Sequence, residues 1–169
     1  MLNACAPSQQ KTVLTQSGLN PENFETIVGT RQVRLYTLKN KTGMEVCITN
    51  FGGRIVSIWV PDKNGEMKDV VLGFDHIKDY QTIPSDFGAI IGRYANRIAF
   101  GKITVDGRTF QLPTNNYGHT LHGGPDGWQY RVYEATQTDD HTLKLTMTSP
   151  DGDMNFRGNV SVSVTYQLT

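Results

Sequence analysis

The residues best suited to chemistry stand in two stretches about thirty positions apart. Gly92-Arg93-Tyr94-Ala95-Asn96-Arg97-Ile98 puts two guanidinium groups and an amide beside a glycine. Leu121-His122-Gly123-Gly124 sets an imidazole against two residues without side chains. Missing Cβ atoms let a ligand or another backbone approach closely. Arginine offers a planar fork of donors and asparagine both donates and accepts, which suits the dense hydroxyl pattern of a sugar. Tyr94, Tyr117, Trp128 and Tyr130 are available as apolar faces for a pyranose ring. Each residue also has an ordinary reading. A surface arginine commonly pairs with a carboxylate, a single histidine is commonly just hydrogen-bonded, and Gly-Gly is commonly a turn.

Other constellations fail. Asp151, Asp153 and Asn155 begin like a calcium loop, but Phe156 stands where that loop needs glycine and Val162 where it needs glutamate. His119 and His122 have no evident third ligand, and Asn115-Asn116-Tyr117-Gly118 before them reads as a loop, so no metal site is assigned. Neither a Gly-x-Ser-x-Gly elbow nor a phosphate loop is present.

The elements that must position these residues read as strands. Lys102-Ile103-Thr104-Val105, the two-residue turn Asp106-Gly107, and Arg108-Thr109-Phe110-Gln111-Leu112 form the clearest predicted hairpin. Val160, Val162, Val164, Tyr166 and Leu168 share one face while Ser161, Ser163, Thr165 and Gln167 share the other, the period of a half-buried strand. Leu143, Leu145 and Met147 alternate in the same way. Val33–Leu38 and Met44–Thr49 flank a hairpin-like connection, and Arg54–Val60 is β-branched up to Pro61. One short helix is expected around His76 to Gln81. Closely spaced strands with little helix predict an all-β sandwich or barrel of mostly antiparallel sheet. The last strand stays apolar to Thr169, so the reading expects a truncated chain whose open edge can template pairing.

Composition bounds the rest. The 169 residues fit one domain. Hydrophobic residues are 37%, and the 17 glycines bring the apolar share to about 47%, enough for a core. Sixteen basic residues balance sixteen acidic ones, which leaves no excess to neutralise phosphates, so nucleic acid is not an expected partner. No apolar run reaches the length of a transmembrane helix. Leu2-Asn3-Ala4-Cys5 reads either as the end of a bacterial lipoprotein signal, with a lipid anchor at Cys5, or as a plain N-terminus with an incidental cysteine. The first places the chain in the periplasm or on a membrane, the second in the cytoplasm. Residues 1–29 are accordingly expected to be a tether, and residues 30–169 the folded domain.

Taken in order, Arg93-Tyr94-Ala95-Asn96-Arg97-Ile98, Asp106-Gly107, Asn115-Asn116 and Leu121-His122-Gly123-Gly124 resemble the N-terminal half of the aldose 1-epimerases, or galactose mutarotases. Asn50-Phe51-Gly52-Gly53 and the stretch from Ser149-Pro150-Asp151-Gly152 to Gly158-Asn159-Val160 fit the same pattern. Arg157 departs from it, standing where the family often has proline. The resemblance covers roughly residues 30–169 and implies a galactose mutarotase-like supersandwich that interconverts the α and β anomers of aldoses without a cofactor. It implies that Asn96 and Arg97 bind sugar hydroxyls and that His122 hydrogen-bonds near the ring oxygen. The family's acid histidine and base glutamate would lie beyond Thr169, so no catalytic residue is assigned and the chain alone is expected to be inactive. The alternatives are a non-catalytic carbohydrate-binding module of the same fold, or a scaffold that binds no sugar.

Overall fold

The computed structural model describes residues 13–169; the expected anchor at Cys5 lies outside them. The strands are β1 (Thr26–Val28), β2 (Arg31–Val33), β3 (Leu35–Lys39), β4 (Glu45–Thr49), β5 (Arg54–Pro61) and β6 (Met67–Asp69). After the single α-helix of the described residues, α1 (Ile77–Thr82), come β7 (Arg97–Ile98), β8 (Lys102–Val105), β9 (Arg108–Gln111) and β10 (Thr120–Leu121). The chain then forms β11 (Glu134–Asp139), β12 (Thr142–Ser149) and β13 (Val160–Gln167). Every named pairing is antiparallel. The architecture is all-β, as the alternation predicts. α1 is neither long nor apolar enough to cross a membrane.

Two sheets make the sandwich. β3-β4-β5-β6 form one and β11-β12-β13 the other. Between them Leu38, Val46 and Ile48 pack on Tyr133, Leu143 and Leu145, with Tyr166 and Val162 of β13 at the margin. Strict alternation in β12 and β13 drives this. In register, Leu143 faces Tyr166, Leu145 faces Val164 and Met147 faces Val162, so one apolar face is shared across the pair.

β4 is buried on both faces. Val46 and Ile48 point into the sandwich, while Cys47 points the other way, into a second core with Phe24, Val33, Val56, Ile77 and Tyr80. A bulge helps fill that second core. Cys47 pairs with Ser57 and Ile48 with Ile55, leaving Val56 as the extra residue of β5. The segment expected to be a tether contributes here too. Leu19 and Phe24 are buried in this core, and the Gln16 N–H donates to buried Glu45 at 2.7 Å. Glu45 is held from the other side by Lys39 at 3.0 Å. Within residues 13–29, Gln16, Leu19 and Phe24 thus pack against the sheet. A strand buried on both faces needs a second cover, and these residues supply part of it.

Burial, with the charge of Glu45 adding to it, pushes the Cys47 thiol up to about 11. A raised thiol pKa favours the protonated form in the fold. The stability it brings is full below the ordinary thiol range and is lost as pH climbs toward 11. In a Cys5→Ser variant at pH 8, Cys47 should react with an aromatic disulfide reagent at least about a hundredfold more slowly in native chain than in denaturant, since the thiolate is the nucleophile. Equal rates in the two conditions would mean the second core is open.

Candidate functional site

Loops between the sheets carry the site. β7 and β10 form a minimal ladder in which Arg97 faces Leu121 and Ile98 faces Thr120. That ladder draws together the two stretches singled out in the sequence. Its buried side is a small third core of Ile98, Leu112 and Phe156, with Ile103 and Met154 against it. Hairpin β8–β9 stands beside it on the Asp106-Gly107 turn, where both residues take positive φ as the two-residue loop requires.

Asn96 and His122 are locked to each other. The Asn96 N–H donates to His122 Nδ1 at 3.0 Å, and the His122 N–H donates to the Asn96 carbonyl at 3.1 Å. Both backbones sit in the left-handed region, at φ 65° and 52°, where asparagine and histidine are the tolerated exceptions among residues with a Cβ. Because Nδ1 accepts, the neutral ring carries its proton on Nε2, which is left free to donate. Arg97 donates from Nε to Asn116 Oδ1 at 2.9 Å, so the guanidinium is steered by the Asn115-Asn116 pair. Asn115 itself grips the strand before His122. Its Oδ1 accepts the Leu121 N–H at 2.7 Å and its Nδ2 donates to the Leu121 carbonyl at 3.0 Å.

His122 lines a cleft of about 700 Å³, within the size range of small-molecule sites. Asp86 and Phe87 belong to one wall, His122 and Tyr130 to the other. Asn96 and Arg97 are exposed and do not form the cleft's wall; Asn96 is bonded to the lining residue His122, and Arg97 to Asn116, the chain neighbour of the lining residue Asn115. Of the four aromatics offered by the sequence, Tyr130 lines the cleft. Tyr94 and Tyr117 lie on the surface, and the Trp128 ring occupies the space a Cβ on Gly92 would need. Burial raises the Tyr130 phenol pKa, with Asp86 adding to the shift and Arg54 opposing it, so it remains a donor at neutral pH.

Arg54 sits beneath the cleft with no exposed surface. It donates to the Phe87 carbonyl at 3.1 Å and to the Gln129 carbonyl at 3.0 Å, one from each wall. Its guanidinium lies 5.2 Å from the Tyr80 ring centroid and 5.9 Å from that of Phe51. Neither Arg54 nor Asp86 is singled out by sequence reasoning, for neither stands in a chemically suggestive stretch. Arg93 does stand in one, but its guanidinium is spent on structure. It donates to Ser149 Oγ and to the carbonyls of Ser149, Pro150 and Arg157. Arg157, the departure from the family pattern, pairs with Asp151 at 3.1 Å and so closes the local turn. His119, the other histidine of the loop, accepts the Phe100 N–H through Nδ1 and packs on the Phe100 ring.

Comparison with known proteins gives a consistent answer. The family model described as aldose 1-epimerase matches residues 34–169. Aldose 1-epimerase of Escherichia coli K12 is 38% identical over 136 residues, covering 80% of this chain and 39% of that protein. Galactose mutarotase of Rattus norvegicus is 39% identical, over 74% of this chain and 36% of that protein. The solved structure of an aldose epimerase homologue from C. elegans superposes with a TM-score of 0.76 at 32% identity, over 79% of this chain and 41% of that one. The chain thus spans about two fifths of the length of the relatives it matches.

Proposed function

Because this chain belongs to the aldose 1-epimerase family, we propose that it holds a free aldohexose, galactose or glucose, in the cleft beside His122 as its part in exchanging the α and β anomers. The observation that carries this reading is the reciprocal lock between Asn96 and His122. It spends Nδ1 on the backbone and leaves Nε2–H as a fixed donor toward the cleft. Tyr130 adds an aromatic face and a second donor, and Arg97, exposed beside Asn96 in the same stretch, is proposed to contact the sugar hydroxyls.

Anomer exchange needs a proton delivered to the ring oxygen and another taken from the C1 hydroxyl, by groups on separated atoms. His122 has one nitrogen engaged and one N–H to give, so it serves as a hydrogen-bond donor to a sugar oxygen near the ring oxygen and cannot be acid and base at once. The acid and base are assigned to other residues of the complete enzyme, and the 169-residue chain binds without turnover. An anchor at Cys5 is carried in the same proposal on the strength of the Leu2–Cys5 motif alone.

In solution, galactose should perturb the amide resonances of Asn96, Arg97 and His122, and the Arg97→Ala and His122→Ala variants should each weaken binding at least about tenfold. Freshly dissolved α-galactose should mutarotate in a polarimeter at the buffer rate. An acceleration abolished by His122→Ala would show that the chain is a catalyst in itself. Absence of any sugar-dependent shift would overturn the binding reading.

A further inference from the structure

Asp86 presents a carboxylate to the same cleft. Its Oδ2 lies 3.9 Å from His122 Nε2, with the Asp86 side chain 42% exposed and the His122 side chain 27% exposed. That separation is too long for a direct hydrogen bond, which needs about 2.9 Å. It is, however, the span of a single intervening oxygen. An atom about 2.8 Å from the carboxylate and about 2.9 Å from the imidazole bridges the two with an angle near 90°. Opening that angle to the tetrahedral value asks Asp86 to move by only roughly 0.7 Å, a small excursion for a half-exposed side chain on a loop.

The chemistry of the two sides restricts the bridging atom. The carboxylate only accepts, and His122, with Nδ1 occupied by the Asn96 N–H, donates from Nε2. The atom between them must donate one hydrogen bond and accept another. A hydroxyl does both, whereas an ether or ring oxygen only accepts. We propose, resting on the sugar-binding reading above, that Asp86 is a further substrate-binding residue, which with His122 clamps one hydroxyl flanking the ring oxygen of the sugar. The wall that carries it is fixed, because Arg54 holds the neighbouring Phe87 carbonyl. Asp86, Tyr130 and Arg54 also lie close enough to feel one another's charge.

The test is a titration series by NMR on the 169-residue chain, with galactose and its five monodeoxy analogues, for wild type, Asp86→Ala and Arg97→Ala. Galactose should bind Asp86→Ala about tenfold or more weakly than wild type, the expected loss of a hydrogen bond to a charged group. One analogue, deoxygenated at the anomeric or the hydroxymethyl carbon, should bind wild type and Asp86→Ala alike, since its bridging hydroxyl is already gone. An unchanged galactose affinity in Asp86→Ala, with Arg97→Ala impaired, overturns the role of Asp86 and leaves the sugar site standing. A loss in Asp86→Ala that is equal for all analogues also overturns it, because the carboxylate would then act without touching a particular hydroxyl. If wild type binds none of the sugars, the role of Asp86 and the sugar-binding reading fall together.

Discussion

Gly123→Ala should abolish sugar binding and lower the melting temperature by roughly 6–12 °C, a loss of about 3 kcal/mol in a domain of this size. Two costs combine. Gly123 has φ +85°, and a Cβ in that left-handed region costs about 1–2 kcal/mol. The added methyl would also overlap the carbonyl of Gly92 outright. That carbonyl cannot step aside, because it is main chain and accepts the Trp128 N–H at 3.3 Å. Overpacking against such a neighbour adds about 1–3 kcal/mol. Relief must come from moving the Leu121–Gly124 turn, which carries His122 and its lock to Asn96. Gly158→Ala is the reference: φ is again +85°, yet nothing lies within 4 Å of the new methyl. It should cost only the backbone strain, about 1 kcal/mol, with sugar affinity retained. Similar losses in the two variants, measured by thermal melts, would refute the close approach of the two stretches.

Which parts of this arrangement are legible from sequence follows from where the information is local. β12, β13 and the β8–β9 hairpin are written in period-two alternation and in Asp-Gly, both confined to a few residues. The pairing of the Asn96-Arg97 and Leu121-His122 stretches is visible as a family pattern, and the structure joins them through the short ladder of β7 and β10. Three features are not legible, for one common reason. Residues 13–29 show no periodicity, and their place is dictated by β4, whose Glu45 reads as a solvent residue until Gln16 and Lys39 are seen to satisfy it. Asp86 stands in a Pro-Ser-Asp turn like many others, and only the nearness of His122 gives it a use. Trp128 reads as a sugar platform, yet the bare backbone of Gly92 takes its ring. The separations from Gln16 to Glu45, from Asp86 to His122 and from Gly92 to Trp128 are each roughly thirty positions or more, beyond the reach of local patterning.

Arg54→Met should be nearly as damaging as Gly123→Ala, by a different route. Arg54 stands at the start of β5, and although arginine is ordinarily exposed, it has no accessible surface here. Burial lowers its pKa, while Tyr80, Asp86 and Tyr130 act in the opposite direction, and a guanidinium stays charged across the accessible pH range. The cost of burying that charge is offset by its two carbonyl partners and two aromatic faces. Methionine fills much of the volume but leaves the Phe87 and Gln129 carbonyls without their donor. Hydrogen bonds to a charged group are worth about 1.5–3 kcal/mol each, so a loss of about 3 kcal/mol is expected after the relief of desolvation. Arg54→Lys should fall between, since one ammonium does not reproduce a planar fork that reaches both walls. The functional consequence separates this role from generic stabilisation. Leu143→Ala, in the sandwich core away from the cleft, should destabilise the fold by about 2–5 kcal/mol and leave galactose affinity unchanged below its melting temperature. Arg54→Met, measured well below its own melt, should weaken galactose at least about tenfold, because the Asp86 wall is no longer tied to the wall carrying His122 and Tyr130. Equal sugar affinity in Arg54→Met and wild type would mean that the two walls hold their spacing without the guanidinium, and that the buried charge serves the core alone.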